Sequence, residues 1–213
     1  AKHIVLGLPY LELDHQTVRF AIIVPMVIIQ AISTHPYMWY ILPVVLTFSH
    51  FFLLYAIAKR TTSNSGLIIT IAAFFLFPYM IFVGSQNMPA GYSIFYLLCG
   101  FLCILKAGDN RQKETRWHVA AGVFHFLAYL TKITNLFLVP AFVLILFVER
   151  RRIKPLLFYG GTLLVLFIVE SGAFIVFTDY SHRLDVILSS HLSESYNKWL
   201  VGFDSIWGLF GRF

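Results

Sequence analysis

Long apolar runs separated by short polar breaks set the pattern of this chain. Six stretches, approximately 39–58, 67–84, 91–106, 117–131, 134–148 and 155–178, approach the length needed to span a membrane. A helix needs about 20 apolar residues to cross a hydrocarbon core of roughly 30 Å. A seventh stretch, 20–34 (FAIIVPMVIIQAIST), is apolar but covers only about 22 Å as a helix. It contains Pro25, and Gln16, Arg19, Gln30 and Ser33 fall along one helical stripe. It reads as an interfacial or half-inserted helix, with a full span as the alternative. Near the C-terminus Val186, Ile187, Leu192, Tyr196, Trp199 and Leu200 recur at near-helical spacing with polar residues between them. They predict a second interfacial helix, with Trp199 at headgroup depth. The fold class is therefore all-α integral membrane: a polytopic bundle of about six transmembrane helices plus interfacial helices on the outer face.

Composition agrees with this pattern. Of 213 residues, 59% are hydrophobic and only 12% charged, against roughly 25% charged in a soluble domain. Soluble, disordered and collagen-like chains are excluded. Cys99 and Cys103 lie four apart in one apolar segment, on one helix face, and read as small buried hydrophobes. The net charge of +6 would fit a nucleic-acid binder, but its distribution does not. Ten of the sixteen Lys and Arg sit in the loops holding Lys59–Arg60, Lys106 to Arg116, and Arg150 to Lys154. These alternate with the nearly uncharged connections at 85–90 and 132–135 and with the tail from Asp179. The positive-inside rule then puts the basic loops in the cytoplasm. On this reading 1–38 is an outer loop with its interfacial helix, 39–178 holds six spans, and 179–213 returns to the outer face and continues beyond the chain. The partners are membrane lipids, with no nucleic acid.

Residues that are costly where they sit are the candidates for chemistry. Lys132, in Tyr129-Leu-Thr-Lys-Ile-Thr-Asn135, is a lone lysine in a turn between two spans on the outer side. It is either a snorkelling cap on a helix C-terminus or a cation held for an anion such as a lipid phosphate. Glu170 lies about 12 Å inside the end of the last stretch, a depth at which an ionisable group costs on the order of 2–3 kcal/mol. It should face protein or water, as a structural hydrogen-bond partner or as part of a site. Asp14, His15 and Arg19 gather before the interfacial helix. Asp14 as an N-cap and Arg19 as an interface anchor is one reading. The other gives Asp14 and His15 acid–base or metal-ligand work, with Arg19 gripping a phosphate. His50, His118 and His125 lie within spans and read as packed residues. No HExxH, paired CxxC, P-loop or GxSxG occurs.

The run Leu13-Asp-His-Gln-Thr-Val-Arg-Phe20, then Ile23-Val-Pro25 and Tyr40-Ile-Leu-Pro43, resembles one lineage of membrane enzymes. Gly84-Ser-Gln-Asn-Met-Pro89, Ala120-Ala-Gly122, Leu130-Thr-Lys132 and Glu170-Ser171 extend the likeness in order through most of the chain. The lineage is the GT-C superfamily of glycosyltransferases, in its polyprenyl-phosphate-sugar-dependent mannosyltransferase-like and lipopolysaccharide glycosyltransferase-like branch. That resemblance implies transfer of a sugar from a polyprenyl-phosphate-linked donor to an acceptor on the periplasmic or lumenal face. It further implies a bacterial inner (plasma) membrane location. An acid in the first outer loop would serve as general base, and basic residues would hold the donor phosphate. Asp14, with His15 beside it, has the position of the acid; Arg19 and Lys132 have that of the phosphate ligands. No cofactor is implied, with a divalent metal at Asp14 and His15 left open. Two departures matter. Ala90 and Gly91 stand where relatives often carry another acid, and the chain has about half the family's length, as a partial chain would. They sustain an alternative: a non-catalytic membrane subunit or transporter fragment with protein partners in a larger complex.

Overall fold

The computed structural model describes residues 20–33, 35, 37–76, 89–109, 111–150 and 153–177. All regular elements among them are helical. They are α1 (Phe20–Ile32), α2 (Met38–Thr61), α3 (Asn64–Leu76), α4 (Pro89–Asp109), α5 (Glu114–Thr131), α6 (Val139–Arg150) and α7 (Ile153–Phe177). Short 3-10 turns at Arg111–Lys113 and Ile133–Leu138 lead into α5 and α6. The predicted stretches thus form helices wherever they are described. The predicted helix at 186–200 lies outside the described residues, as do Asp14, His15 and Arg19.

Among the described residues, three apolar helices are long enough to cross a membrane: Tyr40–Thr61, Pro89–Asp109 and Ile153–Ala173. Ala21–Ile32, Asn64–Leu76 and Thr134–Leu146 are apolar but shorter. Their outward surfaces are greasy. Ile41, Val45, Phe48, Phe52 and Tyr55 make an exposed stripe along α2, and Leu157, Leu164, Val165, Ile168 and Val169 are exposed on α7. Water would not tolerate apolar stripes of this length on a monomer, whereas lipid is their natural solvent. The fold is an all-α membrane bundle.

The chain divides into two compact units, one of residues 1–9 and 19–167, the other of 10–18 and 168–213. In the first, α4 and α5 form the central pair. They run antiparallel, because Tyr92 and Tyr96 cluster with Ala128, Ile104 with Ala121, and Lys106 lies over Trp117. Small residues let the helices close. A Cβ on Gly100 of α4 would come 2.3 Å from the His125 ring of α5; one on Gly122 of α5 would come 3.0 Å from the Tyr159 carbonyl oxygen of α7. Such approach is the usual basis of helix association where lipid removes the hydrophobic drive. His125 fills the gap, with Nδ1 hydrogen bonded to Tyr159 Oη at 2.7 Å and its ring 4.1 Å from that of Phe142. His50, His118 and His125 are all buried. Cys99 and Cys103 are free thiols, Cys103 buried and Cys99 partly so.

α2 packs beside α4, and α3 against α2 through Phe51, Phe74 and Phe75. Arg60 at the end of α2 pairs with Asp109 at the end of α4. Lys59, Arg60, Lys106, Lys113 and Arg116 therefore share one end of this unit, opposite Lys132. Burial corrects one expectation. Gln30, on the polar stripe predicted for α1, is only 8% exposed, while Val24, Ile28 and Ile32 face outward. The helix turns its apolar side to the surroundings and its amide to protein.

In the second unit, the described residues are the last turns of α7. Glu170 lies there and is 8% exposed.

Candidate functional site

The site grows from a single break in helix geometry. α5 ends at Thr131, and Lys132 takes an extended conformation (φ −149°, ψ 113°) before the 3-10 turn begins. Helix ends leave carbonyls without partners, and here one carbonyl gathers several donors. Ala128 O accepts the Lys132 N–H at 3.0 Å, the Thr131 hydroxyl at 2.6 Å and the Asn135 Nδ2 amide at 2.7 Å. On its other side, the Lys132 carbonyl accepts the Asn135 N–H at 3.0 Å. Both peptide groups of Lys132 are thus held. Its side chain is exposed and has no partner among the described residues.

Asn135 reaches further. Its Nδ2 also donates to Ser93 Oγ at 2.6 Å, which ties the turn to the first turn of α4. Both residues are buried, Asn135 at 8% and Ser93 at 4% exposure. α4 opens on Pro89, a residue preorganised for a helix start. Two positions on, the Gly91 carbonyl accepts a hydrogen bond from His50 Nε2 at 2.9 Å. His50 lies twelve residues into α2, about 18 Å of helix from Met38. The start of α4, and the Lys132 turn tied to it, are accordingly set back along α2 from its first residue, Met38.

α1 closes over the same region. Ala21 and Ile22 pack with Leu46, Tyr92, Tyr96 and Ala128. Its fixing point follows from covalent structure. Pro25 has no N–H, so the Ala21 carbonyl, four residues earlier, loses its helical donor. The Tyr96 hydroxyl supplies one at 3.0 Å. A freed backbone group in a membrane helix is commonly satisfied by a neighbouring helix in this way.

The arrangement places one exposed ammonium on a clamped turn that is tied through Asn135 to α4. Chemically, this can hold an anion. Of the sequence-derived candidates, Lys132 is on this turn, Glu170 is buried in the second unit, and Asp14, His15 and Arg19 lie outside the described residues. Among the described residues no three His, Cys, Asp or Glu side chains converge as a metal would require. The sequence reading missed Asn135, Ser93 and Tyr96, and took His50 only as a packed residue, which its burial bears out. Of these, only Tyr96 carried a signal, since Pro25 inside a helix demands an outside donor for Ala21.

Comparison with known families gives one match. The family described as dolichyl-phosphate-mannose-protein mannosyltransferase matches residues 28–173, more than half of the chain. No curated protein and no solved structure matches it. The chain belongs to that family, one of GT-C-type membrane glycosyltransferases.

Proposed function

We propose that this chain carries the donor-binding part of an enzyme that moves a sugar from a polyprenyl-phosphate carrier to an acceptor hydroxyl at the outer face of a membrane. The single observation that carries the proposal is Lys132: an exposed ammonium on a fully held turn, inside the family-matched region. In the reaction, the acceptor oxygen attacks the anomeric carbon while the bond from that carbon to the phosphate oxygen breaks. Negative charge collects on the leaving phosphate, and a fixed cation lowers the barrier by stabilising it. Lys132 holds that phosphate together with Arg19. Asp14, or His15 next to it in sequence, takes the proton from the acceptor hydroxyl. Glu170 is a buried polar partner in the last helix. The family's printed name makes a mannosyl donor the first to test, and a bacterial inner membrane with its periplasmic face is the proposed setting.

A second reading rests on Ala90 and Gly91, which offer no carboxylate at the start of α4: a membrane subunit that binds the lipid without catalysis. One assay separates the two. The purified protein in proteoliposomes is given a polyprenyl-phosphate mannose labelled in the sugar together with a hydroxyl-bearing acceptor, and movement of the label from the lipid to the acceptor is followed. The enzyme reading expects turnover that falls at least tenfold in Lys132→Ala and in Asp14→Asn. Binding of the lipid with no turnover would favour the subunit, and neither binding nor turnover would overturn both.

A further inference from the structure

We infer that Asn135 is a positioning residue for Lys132, acting from the α6 side of the turn; this rests on the reading of Lys132 as the phosphate-holding cation. Asn135 is the one residue of the turn bonded to three separate groups. Its N–H closes on the Lys132 carbonyl at 3.0 Å, and its Nδ2 spans from Ala128 O at 2.7 Å in α5 to Ser93 Oγ at 2.6 Å in α4. The two Nδ2 hydrogens are what this geometry requires. Aspartate at this position, when ionised, has none, and serine has one.

The physical need is plain. Lysine is a flexible point charge on a four-carbon stem, so its precision comes from the backbone that carries it. Lys132 stands alone between two helical segments, where an unheld residue would sample many backbone conformations. Ordering it on binding would cost affinity, and the Asn135 bridge has done that ordering in advance. Burial of Asn135 and Ser93 keeps water from competing for the bridge. The bridge also registers the turn that carries the cation against α4. Asn135 does not itself touch the phosphate.

The test is a double-mutant cycle in the full chain, reconstituted in nanodiscs, with a short-chain polyprenyl phosphate as the probe. Lys132→Ala is expected to weaken binding by tenfold or more. Asn135→Ala is expected to weaken it about tenfold when Lys132 is present and less than about twofold when Lys132 is already alanine. Ser93→Ala, which leaves the Ala128 bond intact, should give an intermediate loss of about threefold and serves where Asn135→Ala fails to fold. A structural role alone would lower binding equally in both backgrounds, and that result overturns the inference. So does wild-type binding in Asn135→Ala or, where that variant fails to fold, in Ser93→Ala, beside a weakened Lys132→Ala. Full binding by Lys132→Ala would instead remove the proposed role of the lysine, and the inference with it.

Discussion

The bond between Tyr96 and Ala21 makes a prediction that depends on a proline elsewhere. Tyr96→Phe removes one hydroxyl and little volume. In an unbroken helix, the lost bond would leave a carbonyl still served by its own N–H four residues on. Here Pro25 removes that N–H, so the Ala21 carbonyl, in a residue 5% exposed, is left without a donor. An orphaned buried acceptor costs about 1–3 kcal/mol, whereas polar contacts between membrane helices average only about 0.6 kcal/mol. The missing fallback argues for the middle of that range, about 1–2 kcal/mol. For a chain of this size that is a fall in Tm of roughly 2–8 °C. Pro25→Ala restores the N–H, and in that background Tyr96→Phe should cost less than about 0.5 kcal/mol. Thermal unfolding of the four proteins in detergent, followed by tryptophan fluorescence, gives the coupling. Hydrogen exchange across 20–32 should rise in Tyr96→Phe and return to normal in the double variant. Equal losses with and without Pro25 would refute the reasoning, because Tyr96 would then not be replacing the missing donor.

Two further substitutions probe the rest of the bundle. Gly100→Ala puts a methyl 2.3 Å from a His125 ring held by Tyr159 and Phe142, so overpacking of about 1–3 kcal/mol is expected in thermal unfolding. Gly160→Ala, with open space around it, should be neutral, and like behaviour of the two would refute the close α4–α5 approach. Arg60→Ala breaks an ion pair whose side chains are 35% and 62% exposed, and should shift unfolding by less than about 1 kcal/mol. A larger loss would mean that this pair is a structural tie between α2 and α4.

Hydrophobic runs located the helices well because lipid-facing residues must be apolar whatever they pack against. They placed the ends less well. The stretch 117–131 read short, and α5 begins at Glu114, because its first turn is charged and lies beyond the apolar run. The stretch 134–148 starts as a 3-10 turn, since Asn135 answers to Ser93 and Ala128 and not to its own neighbours in sequence. Gln30 was misjudged for a similar reason. A polar stripe on a surface helix normally means water, but here it meets protein. Lys132 was legible as a charge out of place, whereas the bridge that holds it joins residues 42 apart along the chain and leaves no local mark. The basic ends of α2, α4 and α5 were visible as charge clusters, although the Arg60–Asp109 pairing was not.

The central claim is that Lys132 holds the phosphate of a lipid-linked sugar. Its most direct test is a density map of the full-length protein with a non-hydrolysable polyprenyl-phosphate sugar bound. The account predicts the phosphate within hydrogen-bonding reach of Lys132 Nζ, at the end of the bundle where α5 ends and α4 begins. A phosphate bound at the opposite end, beside Lys59, Lys106 and Arg116, would contradict it.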